Sequence, residues 1–127
     1  MPVPDGVMPP EVPADNPVTV AKVELGKKLY FDPRLSKDDT VSCATCHDPR
    51  AGFAEHKAVS DGVGRGKGVR NAPTVLNAAF FREQFWDGRA PSLEAQAVLP
   101  IINPVEMAMP DHAAVEKKLA GLAEYAP

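Results

Sequence analysis

The chain has 127 residues, 44% of them apolar and 24% charged, with a net charge of −3. That length supports one domain with a modest core, burying roughly two thirds of the unfolded surface, and the composition excludes a disordered chain. The mild acidity gives no reason to expect nucleic acid or an anionic membrane as partner, and no apolar run approaches the roughly 18 residues of a membrane span.

The first residues, MPVPDGVMPPEVP, have neither the basic start nor the apolar stretch of a signal peptide, so an exported protein would be met here in its mature form. Fourteen prolines keep regular elements short and predict helices strung on ordered loops. Residues 1–16 read as an extended proline-rich arm without periodicity, and residues 17–127 as the domain proper. Asn16-Pro17 predicts a helix start, Asn16 as cap and Pro17 at the first helical position. Ala21, Leu25 and Leu29 form an apolar stripe at spacing four, and Asp32-Pro33 stops the helix. Residues 48–70 hold five glycines and no periodic apolar pattern, which predicts a long loop of the kind that carries function. Ala72 to Phe81 reads as a helix starting at Pro73. Ser92, with Glu94 in the first turn, caps another that ends near Pro100. Asp111 caps the last, with Val115, Leu119 and Leu122 as its buried face. No convincing strand pair appears, and the predicted class is all-α and loop-rich.

The chemistry is concentrated in Thr40–Arg50, TVSCATCHDPR. Both cysteines of the chain, Cys43 and Cys46, lie here, with His47 directly after. A disulfide between them would close a tight loop and lacks the βαβ surroundings of redox proteins. A zinc site from Cys43, Cys46, His56 and His112 lacks the second close pair of a finger. C-x-x-C-H is the attachment signature of covalent c-type haem. Two thiols one helical turn apart reach the two vinyl groups on one porphyrin edge, and the next residue brings its imidazole to the iron. Thioethers use both cysteines, and one haem per chain follows. Haem attachment takes place outside the cytoplasm, so the expected location is periplasmic.

An electron-transfer cytochrome fills the sixth iron position with Met or His, whereas an enzyme leaves it open. Met107, Met109, His56 and His112 are the candidates, and spacing does not choose among them. Glu106, in an apolar setting, is a candidate general acid–base for moving a peroxide proton. Gln96 is a candidate hydrogen-bond donor to a bound oxygen species. Trp86, the single tryptophan, is a candidate electron relay, against the ordinary role of a packed aromatic.

Four ordered stretches carry a resemblance: LGKKLYFDPRLSKDDTVSCATCHDP, GVRNAPTVLNAAF, QFWDGRAPSLEAQA and NPVEM. The chain resembles the N-terminal haem domain of the bacterial dihaem cytochrome c peroxidases, including the relatives that mature methylamine dehydrogenase. The resemblance implies a cytochrome-c-like fold and a following second haem domain that receives electrons from a small donor, a cytochrome c or a cupredoxin. It implies hydrogen peroxide as substrate of the N-terminal haem. Carried over by residue, Cys43 and Cys46 hold the haem and His47 is its proximal ligand. Trp86 lies between the two haems, and Gln96, Pro100 and Glu106 line the distal pocket. Asn71 gives an oxygen to a calcium ion at the domain junction.

Two departures stand out. No second C-x-x-C-H occurs, so the sequence reads as one half of such an enzyme. Val63 stands where many of these peroxidases carry a removable distal histidine, and valine cannot bind iron. The leading expectation is therefore a peroxide-reacting oxidoreductase domain with an open haem. The alternatives are a monohaem electron-transfer cytochrome and a dihaem enzyme that oxidises protein side chains.

Overall fold

A computed structural model describes residue 3 and residues 5–125. Five short α-helices and several single 3-10 turns are joined by loops: α1 Val20–Phe31, α2 Cys43–Cys46, α3 Leu93–Ala97, α4 Leu99–Ile102 and α5 His112–Ala120. Strand pairing among the described residues is limited to isolated bridges, Asp48 with Ala54, Asp61 with Lys67 and Gln84 with Ala90. The all-α, loop-rich class expected from the sequence is what the chain adopts. Of the proline-rich lead, residues 1, 2 and 4 lie outside the described residues. The remainder is irregular, with turns at residues 5–6 and 14–15.

The first helix starts later than the sequence suggests. Thr19, not Asn16, is its cap: the Thr19 hydroxyl accepts the Lys22 N–H at 3.2 Å, and the Thr19 carbonyl takes the first helical bond from Val23. The Asn16 side chain is engaged elsewhere, accepting from Lys22 Nζ at 2.7 Å. Asp32 ends α1 as expected. The stripe of Ala21, Leu25 and Leu29 is only partly used, for Leu25 stays exposed and Leu29 alone packs on the core.

Asp32 then caps the turn Pro33–Leu35 and pairs with Arg34. Ser36, fully buried, donates to Pro33 O at 2.7 Å and accepts the N–H groups of Thr40 and Val41 at 3.1 Å each. One hydroxyl thus satisfies three backbone groups and folds the chain back towards α2. The C-terminal segment closes on the same spot: Tyr125 donates to Asp32 at 2.6 Å, and Arg34 also pairs with Glu124.

The core is small. Leu35, Val41, Met107, Met109 and Val115 form it, with Leu29, Val63, Ile101, Ala114 and Leu119 against it. α5 reaches it as predicted, capped by Asp111, whose carboxylate accepts the Ala114 N–H at 2.8 Å.

Two other helices differ from expectation. Residues 72–77 are not helical; residues 76–77 form a turn, and only Ala78–Phe80 after it forms a short 3-10 turn. Their backbone groups bond across the fold instead: Val75 N–H to Phe53 O at 3.3 Å and Pro73 O to His47. Asn77, at φ +62°, breaks the remaining run. The helix capped by Ser92 divides at Val98 into α3 and α4. Pro100 has no N–H to give to Gln96 O, as a continuous helix would require; that carbonyl takes the Val98 N–H. The Val98 carbonyl faces His112 Nε2 at 3.1 Å.

Candidate functional site

The site is assembled around α2, four residues long and opened by a reciprocal cap in which the Thr45 hydroxyl accepts the Ser42 N–H at 2.9 Å. One helical turn puts the Cys43 and Cys46 thiols on the same side. Both are free thiols and half-buried, and burial pushes both above the ordinary thiol range, with the negative charge of Glu55 adding to the effect at Cys46.

His47 closes α2, its N–H on Cys43 O at 2.9 Å. Its Nδ1 lies 2.8 Å from the Pro73 carbonyl. A carbonyl only accepts, so Nδ1 carries the proton and Nε2 keeps its lone pair for a metal. Tyr30 reaches from α1 and donates to the His47 carbonyl at 2.5 Å. Its phenol is pushed up to about 12, chiefly by burial.

Glu106 is half-buried. Burial pushes its carboxyl up, against the smaller pull of Arg89 and His47. Asn103 holds it: its amide donates to Glu106 Oε1 at 3.2 Å, and its main-chain carbonyl accepts the N–H groups of Glu106 and Ala108. The Gly62–Gly66 loop lies directly against this segment, with Val63 N–H on Glu106 O at 3.0 Å. A Cβ on Gly62 would drive into the Val105 carbonyl, so only glycine allows the approach.

Gln96 and Pro100, both half-buried, lie on the neighbouring helices α3 and α4, and α4 is tied to the core by the Met109 N–H on Ile101 O at 2.9 Å. Trp86 and Asn71 meet: the 65% exposed indole donates to the Asn71 carbonyl at 2.9 Å. The Asn71 side-chain amide donates to the Lys57 and Glu55 carbonyls. Asp87 bridges Arg70 and Arg89 at 2.7 and 2.8 Å, which fixes the turn that carries Trp86.

The candidate sixth ligands separate clearly. Met107 and Met109 are buried in the core beside Leu35, Val41 and Val115. His56 and His112 are exposed. No group of three or more His, Cys, Asp or Glu among the described residues is placed to hold a metal ion, so the zinc alternative finds no ligand set.

A covalent haem fits these residues. The donor set is two free thiols and an imidazole whose Nδ1 is held by the Pro73 carbonyl. The protein by itself is also short of packing: its accessible surface is 8943 Å², against about 6,600 Å² for a compact chain of this mass. Leu76, Phe80, Phe81, Leu93 and Leu99 are among the apolar side chains left exposed, and a large flat apolar group would cover such a surface.

Four residues escaped the sequence reading: Pro73, Asn103, Arg89 and Tyr30. Asn103 lies within NPVEM, where the short reach of an Asn side chain to neighbouring backbone is a usable signal. Here its amide oxygen accepts the Val105 N–H at 2.9 Å. The others act across long sequence separations and leave no local signal.

Comparison with known proteins gives a consistent picture. The family model of di-haem cytochrome c peroxidase matches residues 20–127. Cytochrome c peroxidase Ccp of Escherichia coli is 53% identical over 97 residues, covering 76% of this chain and 21% of that protein. Methylamine utilization protein MauG of Methylorubrum extorquens is 49% identical over 115 residues, covering 91% of this chain and 32% of that protein. The crystal structure of a MauG-like protein associated with microbial copper homeostasis superposes with a TM-score of 0.89 at 33% identity, covering 97% of this chain and 37% of that one. The chain thus spans about a fifth to a third of the length of the curated relatives it matches. With the C-x-x-C-H geometry and a family match that runs from α1 to the last residue, this chain belongs to the di-haem cytochrome c peroxidase family.

Proposed function

We propose that this chain is the peroxide-reacting c-type haem domain of a dihaem cytochrome c peroxidase-like oxidoreductase, built on residues 17–127, with residues 1–16 as a proline-rich arm. Cys43 and Cys46 would hold one haem covalently and His47 would ligate it. The observation that carries the reading is the His47 imidazole, fixed by the Pro73 carbonyl beside two free thiols. When bound, the haem supplies the redox-active iron at which peroxide is reduced.

The chain's own residues supply the rest. Glu106, raised by burial, takes a proton from one peroxide oxygen and returns it to the other, and Asn103 keeps Oε1 in place. The Gln96 amide orients the peroxide by hydrogen bonding. Pro100, with no N–H and an apolar ring, lines the distal side without offering a competing donor. The burial of Met107 and Met109 in the core favours an open sixth position over the electron-carrier alternative. Val63 packs against the core and bonds through its N–H to Glu106, which supports a loop that brings no ligand to the iron.

The partners in this reading are hydrogen peroxide, a second haem domain or chain, and a small donor protein, a cytochrome c or a cupredoxin. Trp86, exposed and pinned by Asn71, is suited to face the second haem. Asn71, whose amide nitrogen is turned to two carbonyls, would give its amide oxygen to a calcium ion. The covalent haem implies a periplasmic location. Similarity to MauG favours, as a second reading, oxidation of side chains on a partner protein through the same open site.

The test is the optical and EPR spectrum of the ferric protein before and after peroxide. A high-spin signal that peroxide changes is expected; a low-spin signal that peroxide leaves unmoved overturns the reading. Replacing Glu106 with Gln should lower kcat/KM for peroxide by about 100-fold or more, the range of general acid–base catalysis. Unchanged peroxide kinetics in that variant would remove Glu106 from its role.

A further inference from the structure

Tyr30 has no part in the roles assigned so far, yet its hydroxyl touches the residue on which the site turns. It lies near the end of α1 and donates to the main-chain carbonyl of His47 at 2.5 Å. Its ring stands edge-on to Phe53, with centroids 6.3 Å apart at 61°. Phe53 is itself held by its N–H on Asp48 O at 2.8 Å and by its carbonyl, which accepts the Val75 N–H at 3.3 Å. Next to it, the Gly52 carbonyl accepts the Thr74 hydroxyl at 2.6 Å. Between these anchors sits Pro73, whose carbonyl fixes the His47 ring at 2.8 Å. His47 is thus held at two ends, its carbonyl by α1 and its imidazole by residues 73–75, and the two supports meet where Tyr30 touches Phe53.

We propose that Tyr30 is a positioning residue for His47: its hydroxyl fixes the His47 main chain while its ring, through Phe53, steadies the segment whose Pro73 carbonyl orients the imidazole. This rests on His47 being the proximal haem ligand. A role in packing alone would need only the ring, since phenylalanine fills the same space. A role as electron relay would need somewhere for the phenol proton to go when the ring loses an electron, and the hydroxyl's acceptor is a backbone carbonyl, which is not a base at ordinary pH.

The test is Tyr30→Phe in the haem-loaded protein, read by the hyperfine-shifted NMR resonances of isotope-labelled His47 in the ferric state and by the midpoint potential. Both are observable whatever the spin state. The expected result is displaced and broadened His47 ring resonances and a shifted potential, with covalent haem content and helical circular dichroism as in the parent. Phe53→Leu, which removes the edge contact and keeps the hydroxyl, should move the same resonances by a smaller amount. Unmoved resonances and potential in Tyr30→Phe overturn the proposal, as does a tyrosyl radical that forms with peroxide and disappears in that variant. If the parent protein shows no resonance of an iron-bound His47, the haem reading itself fails. If it shows one that Tyr30→Phe does not move, the positioning role alone fails.

Discussion

Two parts of this small molecule are stabilised in opposite ways. From Asp32 to Ser42 and across to Tyr125, the fold is closed by polar side chains that bond the backbone and one another: Ser36 serves three groups, and Asp32 takes an N-cap bond, an arginine and a tyrosine hydroxyl. From Val69 to Val105, many apolar side chains face outward, Val69 at 89% and Phe81 at 60% exposure, and the only regular elements are the short α3 and α4 and the turn at Ala78–Phe80. The polar bonds of the first part are made within the chain. The second leaves apolar surface uncovered within the described residues. The difference teaches that polar closure and apolar exposure fall in separate stretches of the chain, with α2 and His47 between them in sequence.

The strongest way to break the comparison is to remove the haem attachment. Cys43→Ser with Cys46→Ser should abolish covalent haem and lower hydrogen-exchange protection across residues 71–105, leaving the 32–42 region and α5 near their parent values. Uniform loss of protection throughout the chain would show the two parts to be one cooperative unit.

A second experiment probes the shared core. Met107→Ala should destabilise by about 2–5 kcal/mol, the cost of truncating a buried Met, seen as a lower urea midpoint. The visible spectrum of the surviving folded protein should match the parent. A spectral change to an open site would make Met107 an iron ligand and revive the electron-carrier reading.

The smallest effect concerns pH. Asp32 is buried beside Arg34 and Tyr125, and the Arg34 hydrogen bonds hold its carboxyl well below the usual carboxylate range. Lys57 and Lys67 lower Asp61 to about 2, and Arg70 and Arg89 lower Asp87 to about 2. Groups with depressed folded pKa stabilise above the unfolded value of about 3.9, and that stability is lost as pH falls through the folded values. Acid unfolding should therefore begin below about pH 4. Asp32→Asn should flatten this acid limb more than Asp61→Asn, because Asp61 is solvent-screened. Equal flattening by both would place no special weight on the Asp32 cluster.

Much of the polar part was legible in the sequence. Asp32-Pro33 ended α1 because proline fixes the chain and removes a donor, and Asp111 and Ser92 capped helices because their short side chains reach the free N–H groups of a first turn. The haem motif was legible for the same local reason: two thiols and an imidazole at helical spacing need only one turn of chain. The less local the cause, the less the sequence revealed. Ala72–Phe81 has helix-compatible residues, yet Pro73 and Val75 give their backbone groups to His47 and Phe53, and nothing in the segment announces those partners. Ser92 announced a helix start, but not the division at Val98.

The sequence by itself determined the class, the covalent haem motif and the family, since each rests on spacing along a continuous stretch. Only the tertiary structure decided that Met107 and Met109 belong to the core, that Asn103 steadies Glu106, and that Pro73 and Tyr30 fix His47 from two sides. Those arrangements depend on carbonyls and side chains brought together over sequence gaps of 17 and 26 residues. Such pairings are chosen by whole-chain packing and not by any local preference.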